Sequence, residues 1–420
     1  MAADAEKSSL YSLIASASRA APGTGMVQRS LEAIRAHLGM DVAYVSEFVD
    51  DRAVFRHVDA PGLEDVIKVG DSQSLDDIYC RHILAGRLPQ LIADTATEPV
   101  AMALPMTRAI PVGKHVSVPI RMPDGRVHGM FCCLGFKADH SLQERDLQML
   151  KVFADLAAFE IGRELETTSA ANDKKERVRK AIEDGQLAIV YQPIWKVGNN
   201  RPVGFECLSR FAAEPQRPPD QWFNEAAEAG LGTALEVTAI RLALSALGSF
   251  PADIFLTVNA SPQTILTREL HDALDGLPEE RIVLEITEHA HIEDYDCLLR
   301  ALEPLRARGV RLAVDDAGAG YAGLQHILQI RPDLIKLDIG LTRSIDLDPA
   351  RRALASALTL FAREVGCRII AEGVETASEL AALRAIGIAK VQGYFLGRPT
   401  PLADALKLIE PQSATAKRVA

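Results

Sequence analysis

Apolar positions along the 420-residue chain follow two rhythms, and the change falls near residue 170. In the first half, "GMVQRSLEAIRAHLGM" repeats its apolar residues at helical spacing, while "VAYVSEFV" and "RAVFRHV" alternate as antiparallel strands do. "VGKHVSVPIRMPDGRVHGMFCCLGF" reads as a hairpin whose two runs meet at Pro123, Asp124 and Gly125, a dense turn signal. Beyond it, "LQERDLQMLKVFADLAAFEIGRELE" places Leu142, Leu147, Leu150, Phe153 and Leu156 among the apolar positions of a long amphipathic helix. The polar "TTSAANDKKERVRKAI" follows and carries the domain boundary, at about 168–176.

The second half alternates short apolar runs with helical segments, the pattern of parallel strands joined by helices. The runs are "LAIVYQPI", "PVGFECL", "DIFLTVN", "RIVLEIT", "VRLAVDD", "DLIKLD", "CRIIAEG" and "AKVQGYF", eight over about 220 residues, which predicts an eight-stranded β/α barrel. No dinucleotide-binding glycine fingerprint follows the first run.

Bulk properties narrow the function. The chain is 48% apolar and 25% charged, an ordinary globular composition with enough length for two domains. No run of eighteen apolar residues predicts a membrane span, and "MAADAEKSSLYSLI" does not read as a signal peptide. A net charge of -11 argues against duplex nucleic acid as a partner. The six cysteines (80, 132, 133, 207, 297, 367) show no zinc-ligand spacing, and a reduced, cytoplasmic protein is expected.

Candidate chemistry lies at the C-terminal ends of the eight runs. They carry Gln192, Glu206, Asn259, Glu285, Asp315 with Asp316, Lys336 with Asp338, Glu372 and Gln392. In a β/α barrel these ends converge on the rim where active sites lie. A single Asp or Asn there is explained by a turn or a helix cap, but caps do not select Glu, Lys or Gln. The glycine-rich "LAVDDAGAGYAGL" raises the question of a phosphate cradle, yet two adjacent aspartates would repel phosphate. Five of these carboxylates on one rim (Glu206, Glu285, Asp315, Asp316 and Glu372), with one lysine, require further positive charge to stay ionised. Two divalent cations supply it. Asp315 is expected to bridge them, with Asp316 on one ion and Glu206, Asn259 and Glu285 on the other. An all-oxygen donor set selects Mg²⁺ or Mn²⁺ over Zn²⁺, and a metal pair about 3.5–4 Å apart suits attack on a phosphodiester.

From Glu176 to Glu410 the chain resembles the EAL-type cyclic di-GMP phosphodiesterases, with "YQPI", "ECLSR", "VN", "LEITE", "DDAGAG", "IKLD", "AEGVE" and "QGYFLGRP" in strand order. The resemblance implies a barrel whose first strand runs antiparallel to the others, and hydrolysis of cyclic di-GMP to linear pGpG. It implies Glu206, Asn259, Glu285 and Asp315 as ligands of one metal, and Asp315, Asp316 and Glu372 as ligands of the second. Lys336 would hold the attacking hydroxide or steady the phosphoryl charge, and catalysis is carried by Lys336, Glu372 and Asp316. Gln192, Leu208, Arg210 and Gln392 would hold substrate, Glu288 would anchor the 316–324 loop, and Asp338 would support the ligands from behind. A rival reading is a silent cyclic di-GMP receptor that signals through a partner. The ligand set is complete, which favours the enzyme.

Two positions depart from the family pattern. Cys207 replaces alanine and is expected to face the barrel–helix layer. Ala317 replaces a loop phenylalanine, which could loosen the loop. Residues 24–165 resemble a GAF domain in their order of elements, which implies sensing of a small molecule of unknown identity. Within it, Cys80 and His82 read as a buried thiol and a surface or core-bonded imidazole, and His289 and His291 of the barrel as polar residues at a helix start. The expected architecture is α/β: a C-terminal (β/α)8 barrel of the EAL type preceded by an α+β GAF-like domain. Its parts are an N-terminal segment (1–23), the sensory domain with its exit helix (24–167), a linker (168–175), the barrel (176–410) and a tail (411–420). The exit helix is expected to pair in a homodimer.

Overall fold

The computed structural model describes residues 25–199, 201–287, 292–317 and 322–410, with side chains of the last stretch described from 326. Glu288, His289, His291 and residues 318–321 of the 316–324 loop therefore lie outside the described residues, as do the terminal segments 1–24 and 411–420. The chain forms two compact units, 1–170 and 171–420.

The first unit is built on six strands: β1 (Val42–Val49), β2 (Arg52–Asp59), β3 (Ser72–Ser74), β4 (Leu91–Ile92), β5 (Lys114–Arg121) and β6 (Val127–Gly135). They form one sheet in the order β3-β2-β1-β6-β5-β4, with antiparallel neighbours. Strand alternation gives the sheet two buried faces. Ala43, Val45, Val118, Phe131 and Cys133 pack with Leu31 and Ile34 of the helix Met26–His37 and with Leu150 and Phe153 of the helix Glu144–Glu183. Tyr44, Met130, Cys132 and Leu134 face the helix Tyr79–Leu84. The β5–β6 turn falls at the Pro-Asp-Gly signal, where Gly125 takes φ +82°.

The helix Glu144–Glu183 is continuous over 40 residues and includes 168–175, the stretch read as a linker. That stretch contains no Gly or Pro. Polarity therefore removed the apolar face there without breaking the helix.

The second unit is a closed barrel in the order β10-β11-β12-β13-β14-β7-β8-β9. Its strands are β7 (Leu187–Lys196), β8 (Pro202–Phe211), β9 (Phe255–Asn259), β10 (Ile282–Thr287), β11 (Arg311–Ala317), β12 (Leu334–Leu337), β13 (Arg368–Ala371) and β14 (Lys390–Val391). β7 is antiparallel to both neighbours, β8 and β14, and the other pairs are parallel. The expected reversal of the first strand is thus present.

Alternation along these strands sorts side chains between the helix layer and the lumen. Leu256, Leu284, Leu312, Val314, Ile335 and Ile369 join the large core under the helices. Ile194, Phe255, Val283, Ala313, Leu334 and Ile370 form a separate apolar layer inside the barrel. Gly204 makes room for it, since a Cβ there would lie 2.6 Å from the Phe255 ring. This layer closes the lumen, so the polar positions above it line a cup rather than a channel.

Candidate active site and family

The floor of the cup is an apolar layer, and the next inward positions are Glu206, Glu285, Asp315 and Lys336, with Glu372 and Gln392 just past β13 and β14. The period of two explains the selection: Ala313 and Asp315, or Leu334 and Lys336, share a face. Lys336 is fully buried, and its Nζ lies 2.8 Å from Glu285 Oε2, 2.8 Å from Glu372 Oε1, 3.1 Å from Glu206 Oε1 and 3.1 Å from Asp315 Oδ2. Four carboxylates from β8, β10, β11 and the end of β13 thus surround one ammonium. Burial opposes its charge, but the four carboxylates prevail and hold the amine well above its usual range. The same burial pushes the Glu285 carboxyl well up despite the pull of Lys336. Glu372 rises to about 8 for the same reason.

Asp315 and Asp316 reach one region through an irregularity in β11. Val314 pairs with Ile335, but Ala317 pairs with Leu337, so three steps of β11 span two of β12. That extra residue is a β-bulge, and Asp316 absorbs it with φ +58°. Left-handed backbone costs a non-glycine residue about 1 kcal/mol or more, and aspartate is among those that tolerate it best. The bulge turns two side chains that alternation would separate toward the same site. Carboxylate oxygens of Asp315, Asp316 and Glu372 lie within 4.8 Å of one another, as do those of Glu206, Glu285 and Asp315. Asp315 belongs to both groups.

The remaining expected site residues fall as follows. Asn259 ends β9 and pairs in register with Glu285. Gln192 pairs with Glu206 across β7 and β8 and donates to the Gly397 carbonyl at 3.4 Å. Gln392 donates through Nε2 to Glu206, leaving its buried Oε1 without a hydrogen-bond partner. Leu208 and Arg210 continue the inward face of β8, half-buried and exposed in turn, and Arg210 also donates to the Ser209 carbonyl at 2.7 Å. Asp338 caps the helix Ile339–Thr342, accepting from the Gly340 N–H at 2.7 Å. Ala317 is buried at the end of β11. Cys207 faces the helix layer, where burial pushes its thiol well up.

One lumen residue escaped the sequence reading. Thr257 is fully buried, pairs in register with Glu206, and has an unpartnered hydroxyl. The signal was alternation in "FLTVN", which sets Phe255, Thr257 and Asn259 on one face.

The donor set fits a pair of hard divalent cations. Every candidate ligand atom is oxygen, two carboxylate groups share Asp315, and Glu285 Oε1 is buried with no hydrogen-bond partner.

The first unit holds a second concavity, a cavity of about 220 Å³. Phe55, Ile67, Ile78, Met106, Ile110 and Phe136 give it apolar walls, and Asp71, Gln73 and Asp77 are its polar lining. Cys80 is fully buried in the neighbouring core, and His82 Nε2 contacts the Asp76 carbonyl at 3.4 Å.

Known proteins agree with both halves. The EAL domain model matches residues 175–399 and a GAF domain model matches residues 24–161. An uncharacterized signaling protein of Caulobacter vibrioides is 30% identical over 347 residues, covering 79% of this chain and 42% of the relative. The cyclic di-GMP phosphodiesterase NbdA of Pseudomonas aeruginosa is 32% identical over 241 residues, covering 54% of this chain and 31% of NbdA. The chain thus spans less than half the length of either relative. Among solved structures, the PaMucR phosphodiesterase in complex with c-di-GMP matches with a TM-score of 0.50 and 29% identity, over 55% of this chain and 99% of that one. The EAL enzyme Bd1971, bound to cAMP and cyclic di-GMP, has the same fold over 88% of this chain and 93% of its own, with a TM-score of 0.54 and 17% identity. The chain belongs to the EAL family and carries a GAF domain ahead of its barrel.

Proposed function

We propose that the barrel hydrolyses cyclic di-GMP to linear pGpG with two Mg²⁺ or Mn²⁺ ions, under control of the GAF domain. The observation that carries this reading is the arrangement of four carboxylates around Lys336, with Asp316 adjoining: five acidic groups against one ammonium. Glu206, Asn259, Glu285 and Asp315 would hold one ion, and Asp315, Asp316 and Glu372 the other. When bound, such a pair polarises the phosphodiester and supplies a water-derived nucleophile at neutral pH.

The chain's own residues do the rest. Lys336 stays charged in a buried site and stabilises negative charge developing on the phosphoryl oxygens. Gln392 orients Glu206 through its amide N–H and keeps Oε1 available for a donor on the nucleotide. Gln192 lies beside Glu206 on the neighbouring strand, within the same substrate-facing surface. Arg210 offers a planar fork for phosphate at the open end of β8, and Leu208 gives an apolar contact below it. Asp338 acts indirectly, by fixing the turn that follows Lys336. Glu288 is assigned as anchor of the loop after β11 by resemblance alone.

The apolar cavity of the first unit is the proposed seat of the sensory ligand, and the proposed assembly is a homodimer. The parts proposed are the sensory domain at 24–167, a linker at 168–175 and the barrel at 176–410. No described helix is long and apolar enough to cross a membrane, and a cytoplasmic location is proposed.

The test is chromatography of cyclic di-GMP incubated with purified protein and Mg²⁺ or Mn²⁺, beside Glu206→Ala and Asp315→Asn proteins. The expected result is pGpG from the native protein and none from either variant. Tight binding of cyclic di-GMP without any pGpG would overturn the hydrolase and establish the receptor.

A further inference from the structure

The barrel lumen is charged at both ends. On the far side of the apolar layer, the inward positions of four strands are cationic: Lys196 ends β7, and Arg311, Arg368 and Lys390 open β11, β13 and β14. Alternation fixes their direction, because Arg311 shares a face with Ala313, Arg368 with Ile370, and Lys196 with Ile194. Lys390 and Lys196 are direct partners across an antiparallel pair, an arrangement that like charges destabilise.

The cations converge. The Arg311 guanidinium lies 4.7 Å from the centroid of the Phe255 ring, and Lys390 Nζ lies 4.9 Å from the same centroid. Burial and the charges of Arg311, Arg368 and Lys196 pull the Lys390 amine down to about 8. Asp333 attracts Arg311 from the flank, and one of its carboxylate oxygens accepts the Leu312 N–H at 2.9 Å. Among the described residues no ion pair within 4 Å reaches any of the four, and Arg311 Nε is buried with no hydrogen-bond partner. Four like charges gathered at one mouth, on a chain of net charge -11, are an expensive arrangement unless an anion joins them.

We propose that this pole of the barrel binds a phosphate-type polyanion, held by Lys196, Arg311, Arg368 and Lys390 at the end of the lumen opposite the carboxylates. Two planar guanidinium forks match the oxygen pairs of a phosphate group, and two ammonium groups add point charge. A singly charged ion would leave most of the repulsion in place, so a pyrophosphate or polyphosphate group fits best. The proposal stands independently of what the rim hydrolyses.

The test is calorimetric titration of pyrophosphate into full-length protein at fixed ionic strength, with EDTA present so that no metal recruits the anion to the rim. Saturable binding is expected, weakened about tenfold or more by Arg368→Gln and by Lys390→Gln, and retained by Glu206→Ala. Arg368 is exposed at the mouth, so its variant carries the test even where Lys390→Gln fails to fold. Absence of saturable heat up to about 10 mM pyrophosphate, or equal affinity in native and Arg368→Gln proteins, would overturn the site.

Discussion

At the barrel rim the polar side chains are delivered by neighbouring strands, and four carboxylates are fixed within hydrogen-bond distance of one lysine. The cavity of the GAF domain is assembled differently. Its lining comes from residues spread between Val42 and Phe136, on strands, turns and a short helix, and most of it is apolar. The rim fixes charged atoms relative to one another, as the proposed phosphoryl chemistry would require. The cavity fixes a volume, and many sequences can enclose the same volume. Chemistry leaves a spaced pattern in the chain, whereas shape recognition leaves only apolar residues that also serve a core.

That contrast can be broken at the rim with the largest effect. Asp315→Asn removes the carboxylate shared by both acidic groups, and hydrolysis of cyclic di-GMP is expected to fall by about a thousandfold or more in a product assay. An Asp315→Asn protein with near-native turnover would show that the shared position is not central. Next in size is the floor beneath the rim. Gly204→Val forces a side chain against Phe255, and urea unfolding of the isolated transition is expected to show a loss of about 1–3 kcal/mol. Unchanged stability would mean that the inner layer yields easily.

The cavity calls for a different probe. An apolar space of about 220 Å³ is large enough for benzene or xenon, and chemical-shift changes at Phe55 and Ile78 would report their entry. Met106→Trp fills the space, and those shifts are expected to vanish. Equal shifts in the variant would place the probe elsewhere.

The smallest effect concerns a carboxylate of the GAF domain. Hydrogen bonds from Ser141 and Lys114 hold Asp139 down at about 2. A folded value below the unfolded one gives stability that is complete above about pH 4 and lost as pH falls through about 2. Asp139→Asn is therefore expected to lower the melting temperature of this domain slightly at pH 7, with the gap to native closing near pH 2. A gap that persists in acid would assign the loss to packing.

Much of the barrel was legible because its periodicity and its strand-end polar residues coincide. Lys336 illustrates the limit. The sequence places a lysine at a strand end, but not its four-way contact with Glu206, Glu285, Asp315 and Glu372, which depends on closure of the barrel. The meeting of Asp315 and Asp316 depends on a bulge that no residue type announces. The basic pole stayed hidden because Arg311, Arg368 and Lys390 are each the first residue of a strand, where a charge ordinarily reads as solvated. Asp338 shows the opposite case: a position in the motif that also serves as a helix cap. In the GAF domain the sheet was legible from alternation and the turn, while the cavity was not.

The reversed direction of β7 has a consequence for path length. Leu187, where the chain enters the barrel, pairs with Phe211 at the open end of β8, and Gln192 pairs with Glu206 only five residues later. A parallel first strand would have delivered the entering backbone to the basic pole, a full strand away from the carboxylates. As built, a displacement arriving through the helix that precedes Leu187 needs to travel half a strand along covalent bonds to reach the side chains of the rim.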